Sequence, residues 1–249
     1  NVVMLADETP TLSRERWKRI LDLKIERKLD TKLLLETRVS DILRDEDIMW
    51  KYRQAGVDHI YVGVESISQS TLDIFKKNIK VEESKKALDL INAEDMVSET
   101  SFVLGMPDDT HESMRQTVEL AKHYNPDLAF FLAIAPWPYS DIYPELKPYI
   151  EVTDYSRYNL VEPVLKPKNM TLNEVRNELG RASRDFYMQK IETLDRMSSH
   201  KKEFMLKVIK LIAEDSYLAG DMSQMPAEIN RVLEKAGIMI SYIQQSPSG

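Results

Sequence analysis

Thr100-Ser101-Phe102-Val103-Leu104-Gly105-Met106-Pro107-Asp108-Asp109-Thr110 is the stretch on which the fold turns. Its apolar half is too short for a helix and suits a strand buried on both faces. A glycine then permits a sharp turn, and Pro-Asp-Asp-Thr supplies turn and helix-start chemistry. Met114, Val118, Leu120 and Ala121 continue at helical spacing toward Tyr124. The unit is therefore strand, glycine turn, helix.

Working outward, the same unit recurs. Short apolar runs lie at Val2 to Leu5, Leu33 to Thr37, His59 to Val64 and Leu128 to Ile134, and amphipathic stretches separate them. Ser13 is placed to cap a helix carrying Trp17, Ile20 and Leu21. A second helix passes through Asp45, Ile48, Met49 and Tyr52 and stops at Gly56; a third begins near Ser70, breaks around Asn78 and gives way to another from Val81 through Ile91. Parallel strands joined by right-handed helical crossovers give an α/β fold, either an open doubly wound sheet or an arc of a (β/α) barrel. The run Val2 to Leu5 reads as a buried strand entered without lead-in, which suggests a piece of a longer protein.

In either architecture ligands sit at the carboxyl ends of the strands. The residues there are Asp7 and Glu8, Arg38, Glu65 and Ser66, Gly105 and Pro107, and Pro136 to Tyr139. Glu65 leaves a buried strand beside Gly63, where a carboxylate can accept two hydroxyl hydrogen bonds from a ribose. Asp7, Glu8 and Glu65 serve equally as helix caps, and Arg38 equally as the partner of Glu36 or Asp41, the reading favoured for it. Trp137 and Tyr139 suit a flat apolar ligand, or simple packing. His111, beside the glycine turn, is the histidine nearest this edge, whereas His59 and His123 read as structural. From about Asp141 prolines and tyrosines accumulate in a way that reads as an ordered wrapping segment over 141–170. Thr171 then opens a helical carboxyl-terminal region, 171–249, with Phe204, Leu206, Val208, Ile209 and Ile212 as an apolar stripe and a frayed end from Gln244. Residues 1–140 make the first domain.

Composition narrows the chemistry. The 249 residues contain no cysteine and four histidines, so they offer no disulfide, no thiolate metal site and no cysteine nucleophile. Lys+Arg 34 against Asp+Glu 41 gives a net charge of -7, and the pI is about 5.3. With basic residues dispersed among acids there is no phosphate-tracking stripe, so nucleic acid is not the expected partner. No apolar run approaches the roughly 18 to 20 residues of a spanning helix, and no signal peptide opens the chain, so the expected location is cytoplasmic. The 43% hydrophobic content is enough for a substantial core.

The strand-end signatures, in order, resemble those of radical S-adenosylmethionine (radical SAM) enzymes. Ala6-Asp7-Glu8-Thr9-Pro10-Thr11 is similar to the acidic turn after that family's second barrel strand, and Thr37-Arg38-Val39 to its third. Gly63-Val64-Glu65-Ser66 resembles the fourth, and Phe102 to Pro107 with Asp109-Thr110 the fifth. ADETPT, TRVSDILRDED from Thr37 to Asp47, PDLAFFLAIAPWPYSDIYPEL from Pro126 to Leu146 and EVTDYSRYNLVEPVLKP from Glu151 to Pro167 resemble more closely the cobalamin-dependent branch. Within it, they are most similar to the oxidative cyclases of the anaerobic route to bacteriochlorophyll.

That resemblance implies a partial radical SAM barrel and the cofactors S-adenosylmethionine (SAM), a 4Fe-4S cluster and cobalamin. It also implies a porphyrin-like or other small-molecule substrate and an electron-donor protein. Asp7 and Glu8 would lie near the SAM amino group, Arg38 near its carboxylate, and Glu65 and Ser66 near the ribose and carboxylate region. Val103 and Gly105 would line the adenine, and Trp137 and Tyr139 would face substrate or cobalamin. The implied reaction closes the isocyclic ring of a magnesium porphyrin, with oxygen taken from water, after a 5'-deoxyadenosyl radical abstracts hydrogen. The sequence departs from the family in lacking its CxxxCxxC cluster motif and preceding cobalamin domain, which implies a carboxyl-terminal fragment inactive alone. Two other readings stay open: a cobalamin-dependent methyltransferase on another substrate, and a non-catalytic SAM- or nucleotide-binding α/β protein.

Overall fold

The computed structural model describes residues 1–7, 9–64 and 81–215. Five strands, β1 (Val2–Met4), β2 (Lys32–Thr37), β3 (Val57–Val62), β4 (Val97–Leu104) and β5 (Leu128–Ala133), form one sheet in the order β1-β2-β3-β4-β5. Every neighbouring pair is parallel. This order decides between the two architectures left open by the sequence. A doubly wound sheet reverses strand order at its switch point, whereas an order that never reverses, with crossovers of one hand, keeps the helices on one side. The sheet is therefore an arc of a barrel.

Alternation along the strands shows which face the helices cover. Leu33 and Leu35 of β2 and Ile60 and Val62 of β3 are buried. They pack in one core with Trp17 and Leu21 of α1 (Arg14–Glu26), Val39 and Ile42 of α2 (Val39–Arg44), Met49 and Tyr52 of α3 (Met49–Gln54), and Ala87 and Ile91 of α4 (Val81–Ala93). Trp17 meets Tyr52 edge-on at 5.6 Å. The opposite face carries Lys32 and Glu36 of β2, Tyr61 of β3, Glu99 and Ser101 of β4 and Phe130 of β5. These belong to the complementary alternation set, and Glu36, Tyr61, Glu99 and Phe130 are paired or adjacent in register.

Local chemistry explains the helix ends. Ser13 caps α1 by accepting from the Arg16 N–H, and Gly56, at φ 85°, ends the turn after α3. Helix α5 (His111–Tyr124) opens on a capping box between Thr110 and Ser113 and closes at Asn125 in the left-handed conformation. After β5 come the short α6 (Tyr143–Leu146) and 3-10 turns, tied by an antiparallel bridge between Ile150 and Leu165. Thr171 and Glu174 form a reciprocal cap for α7 (Leu172–Thr193), and α8 spans Ser199–Asp215.

Three expectations need correction. β1 is not buried: Val2, Val3 and Met4 are 61%, 44% and 66% exposed, because among the described residues β1 lies at the sheet edge and pairs with β2 alone. The helix expected from Asp45 is preceded by a separate one, α2, whose six residues are too few to show a full apolar period. The buried seam of α8 is Lys201, Met205 and Ile209, at i, i+4 spacing, with Phe204, Leu206 and Val208 partly buried. The chain forms two compact units, Asn1–Ser183 and Arg184–Gly249. Ser70, Asn78 and the end from Gln244 lie outside the described residues. Among the described residues no helix is long and apolar enough to cross a membrane.

Candidate active site

The carboxyl edge of the arc brings the ends of all five strands into one row. Adjacent strands lie about 4.8 Å apart, so the loops after β2 and β4 are separated by roughly 10 Å. Asp7, Arg38, Gly105 and Trp137 all lie on this edge, each just beyond its strand. Glu8, Glu65 and Ser66 fall outside the described residues.

A buried polar network fixes the first part of this edge. Thr11, in the loop after β1, is fully buried, with its hydroxyl against that of Thr37 at the end of β2. It also donates to Asp41 Oδ2 at 2.6 Å. Arg44 reaches Asp41 Oδ1 at 3.1 Å, Asp45 through two bonds of 2.8 and 3.0 Å, and the Thr11 carbonyl at 2.9 Å. Tyr52 donates to Asp45 Oδ2 at 2.7 Å, and burial with that bond drives its phenol far above its ordinary pKa. Arg14 completes the set, bidentate to Asp47 at 2.8 Å. Two buried carboxylates thus share one guanidinium that also holds the loop bearing Asp7.

This network bears on one of the partners weighed for Arg38. Asp41 is taken by Thr11 and Arg44 and is not the partner of Arg38. Among the described residues no carboxylate pairs with Arg38, whose side chain is exposed at the head of α2. A bidentate donor there is available for a carboxylate ligand. Asp7 is used locally: it accepts from the Thr9 N–H at 3.1 Å and faces Arg16 at 3.6 Å, both in the open.

The loop after β4 is organised by Asp109. Its Oδ2 accepts from the Gly105 and Met106 N–H groups at 2.8 and 2.9 Å, and Ser113 donates to its Oδ1 at 2.9 Å. Burial outweighs these bonds and raises its pKa. Gly105 is required twice over: φ is 84°, and an added Cβ would meet Val175 Cγ1 at 3.2 Å. Val103 packs with Met106, Ile134, Leu146 and Leu165. His111 is engaged with α7, with Nδ1 2.9 Å from Glu178 and Nε2 3.6 Å from Glu174. Its part is to hold α7 beside the glycine turn.

After β5, Trp137 packs against Ala135, Tyr158 and Val164. Tyr139 stacks on Trp137 with centroids 6.2 Å apart and planes 14° from parallel, and it is 84% exposed. On the sheet face opposite the helices Tyr61 and Ser101 share a part-buried hydrogen bond of 2.6 Å, and His59 contacts Glu99. Sequence reading missed the Arg44 network and this polar pair. The i, i+4 spacing of Asp41 and Asp45 around Arg44 is the signal for the first. Among the described residues no group of three potential ligands could hold a metal ion.

The chain has recognisable relatives among known proteins. The profile of the radical SAM superfamily matches residues 1–121. The chain is 38% identical over 189 residues to the anaerobic magnesium-protoporphyrin IX monomethyl ester cyclase of Cereibacter sphaeroides, covering 75% of this chain and 31% of that protein. It is 36% identical over 187 residues to the cyclase of the same name from Rubrivivax gelatinosus, covering 75% and 34%. The chain thus spans about a third of the length of these curated relatives. The solved structure of TsrM from Kitasatospora setae, a radical SAM methyltransferase with cobalamin and a [4Fe-4S] cluster bound, superposes with TM-score 0.55. That likeness, at 19% identity over 71% of this chain and 37% of TsrM, shows the fold alone.

Proposed function

Residues 1–121 match the radical SAM superfamily, and from that premise we propose that the carboxyl edge of this chain is the SAM and substrate surface of an oxidative cyclase acting on a magnesium tetrapyrrole. The observation that carries the reading is the pairing of this edge with the cyclase likeness. An arginine with no carboxylate partner among the described residues stands after β2, and an exposed aromatic stack stands after β5 at the end of the row.

SAM bound here would supply the 5'-deoxyadenosyl group that removes hydrogen from the substrate. The residues present suit its binding. Arg38 holds the methionine carboxylate by a charge-assisted bond, and Asp7, with Glu8, faces the amino group. Glu65 and Ser66 accept and donate to the ribose and carboxylate region, and Val103 with Gly105 forms the apolar floor under the adenine. The Gly105 N–H is already committed to Asp109, so this floor contributes shape rather than a donor. Trp137 and Tyr139 bear on the substrate. Iron-sulfur clusters are held by cysteine thiolates, and these 249 residues contain none. This chain therefore supplies no cluster ligand, and its part is binding and orientation. Cobalamin and an electron donor complete the proposed enzyme.

The test is incubation of the full-length protein with magnesium-protoporphyrin IX monomethyl ester, SAM and a reductant without oxygen. The expected products are the ring-closed porphyrin and 5'-deoxyadenosine. A methylated porphyrin with no ring closure would move the assignment to a methyltransferase, and no consumption of either compound would refute both.

A further inference from the structure

The aromatic stack at the end of β5 continues beyond Trp137 and Tyr139. Tyr158 lies 5.4 Å from Trp137, and Tyr155 lies 5.1 Å from Tyr158, edge-on. Four rings therefore run in contact from Tyr139 to Tyr155, across two segments that are 16 to 21 positions apart in sequence. The inner two are anchored. Tyr158 is 4% exposed and donates to the Val152 carbonyl at 3.0 Å. The outer two are open, Tyr139 at 84% and Tyr155 at 53%.

The backbone beneath is held in an uncommon form. Leu160 adopts φ 64°, a left-handed conformation that side chains with a Cβ disfavour. It is fixed there because the Ala133 N–H, at the end of β5, donates to its carbonyl at 2.7 Å. Asn159 accepts from the Val161 and Glu162 N–H groups at 3.0 and 2.8 Å, and Arg157 binds Glu162 at 2.9 Å. Despite this anchoring, the turn leaves Leu160 and Val161 39% and 41% exposed. Folding energy thus goes into holding apolar groups in water at the mouth of the arc, and strain of this kind clusters at ligand sites.

We infer that Tyr155 and Tyr158, with Trp137 and Tyr139, form a stacking platform for a planar conjugated tetrapyrrole, with Leu160 and Val161 as its apolar lip. This deepens the substrate reading above and rests on it. Tyr139 lies near-parallel to Trp137 and bares its outer face, on which an extended π-surface stacks offset, while Tyr158 at 55° to Trp137 and Tyr155 at 65° to Tyr158 offer ring edges beside it. The anchored inner pair keeps the outer pair from collapsing onto the protein, so little ordering is left to binding. Segment 151–165 is therefore part of the substrate site and not only a wrapping connection.

The experiment titrates the full-length protein with zinc protoporphyrin IX, followed by the Soret band and by tryptophan fluorescence. Tyr139→Ala and Tyr155→Ala each weaken binding roughly 3- to 10-fold, the range of a single aromatic stack, while the melting temperature stays that of the parent. Trp137→Phe keeps the Soret shift and removes most of the quenching. Unchanged affinity in both alanine variants, or undiminished quenching in Trp137→Phe, overturns the platform, as does displacement of the probe by SAM or cobalamin alone. If the variants lose porphyrin affinity but the enzyme yields a methylated product, the cyclase reading fails and the platform stands. If ring closure proceeds with porphyrin affinity unchanged in both variants, the reverse holds.

Discussion

Replacing Arg44 with Met tests whether the buried network truly sets the site's first loop. The guanidinium bonds Asp41, Asp45 and the Thr11 carbonyl, and Asp45 is fully buried while Asp41 is 6% exposed. Removing one partner of a buried pair costs about 3 to 5 kcal/mol because the other charge is left uncompensated. Two features reduce that here. The Arg44 side chain is 31% exposed, and Asp45 keeps Tyr52 and, at 3.5 Å, Arg14. The expected loss is therefore about 2 to 3 kcal/mol, a fall in melting temperature of roughly 4 to 12 °C for a chain of this size. Thermal and urea unfolding followed by circular dichroism measure it. Asp45→Asn added to Arg44→Met removes the uncompensated charge and recovers part of the loss. A loss under about 0.5 kcal/mol, or no recovery in the double variant, would refute the assignment of Arg44 as the shared counter-ion.

Other outcomes follow from the β4 loop and the α7 cap. Gly105→Ala forces a Cβ into a left-handed position and within 3.2 Å of Val175, and is expected to cost about 1 to 2 kcal/mol by urea unfolding. Asp109→Ala strands the Gly105 and Met106 N–H groups and is expected to cost about 1 to 3 kcal/mol, while Asp109→Asn keeps an acceptor and costs less. Glu174 has a depressed pKa, mainly through its bond to the Thr171 N–H. Its contribution is present above the ordinary value of 4.5 and is lost as pH falls through the depressed folded value. Melting temperature plotted against pH in this acid range therefore declines less steeply in Glu174→Gln than in the parent; parallel curves would exclude the cap as a source of acid sensitivity.

The sequence made the strand-turn-helix units legible because each is local: Ser13 and Thr110 cap where their residue types indicate, and Gly105 turns the chain. Strand order was not legible, since Leu33 facing Val57 and Ser101 facing Phe130 are pairings between distant segments. The face opposite the helices was hidden for a related reason. In His59-Ile60-Tyr61-Val62 the outward residues are themselves aromatic or large, so alternation does not stand out from a continuous apolar run. The exposure of β1 was equally unreadable, because Val2, Val3 and Met4 have the composition of a buried strand whatever lies beside them. At the site, residue type left Arg38 between a ligand carboxylate and a pair with Glu36 or Asp41, and that Asp41 turns instead to Thr11 and Arg44 is a three-dimensional fact.

The central claim, that the carboxyl edge of this arc binds SAM, is tested most directly by hydrogen exchange of the full-length protein with and without SAM. Slowed exchange is expected in 6–12, 38–44 and 103–110, with no change in the amides of α1. Slowed exchange confined to the helix-covered face, or none in these three segments at saturating SAM, would contradict it.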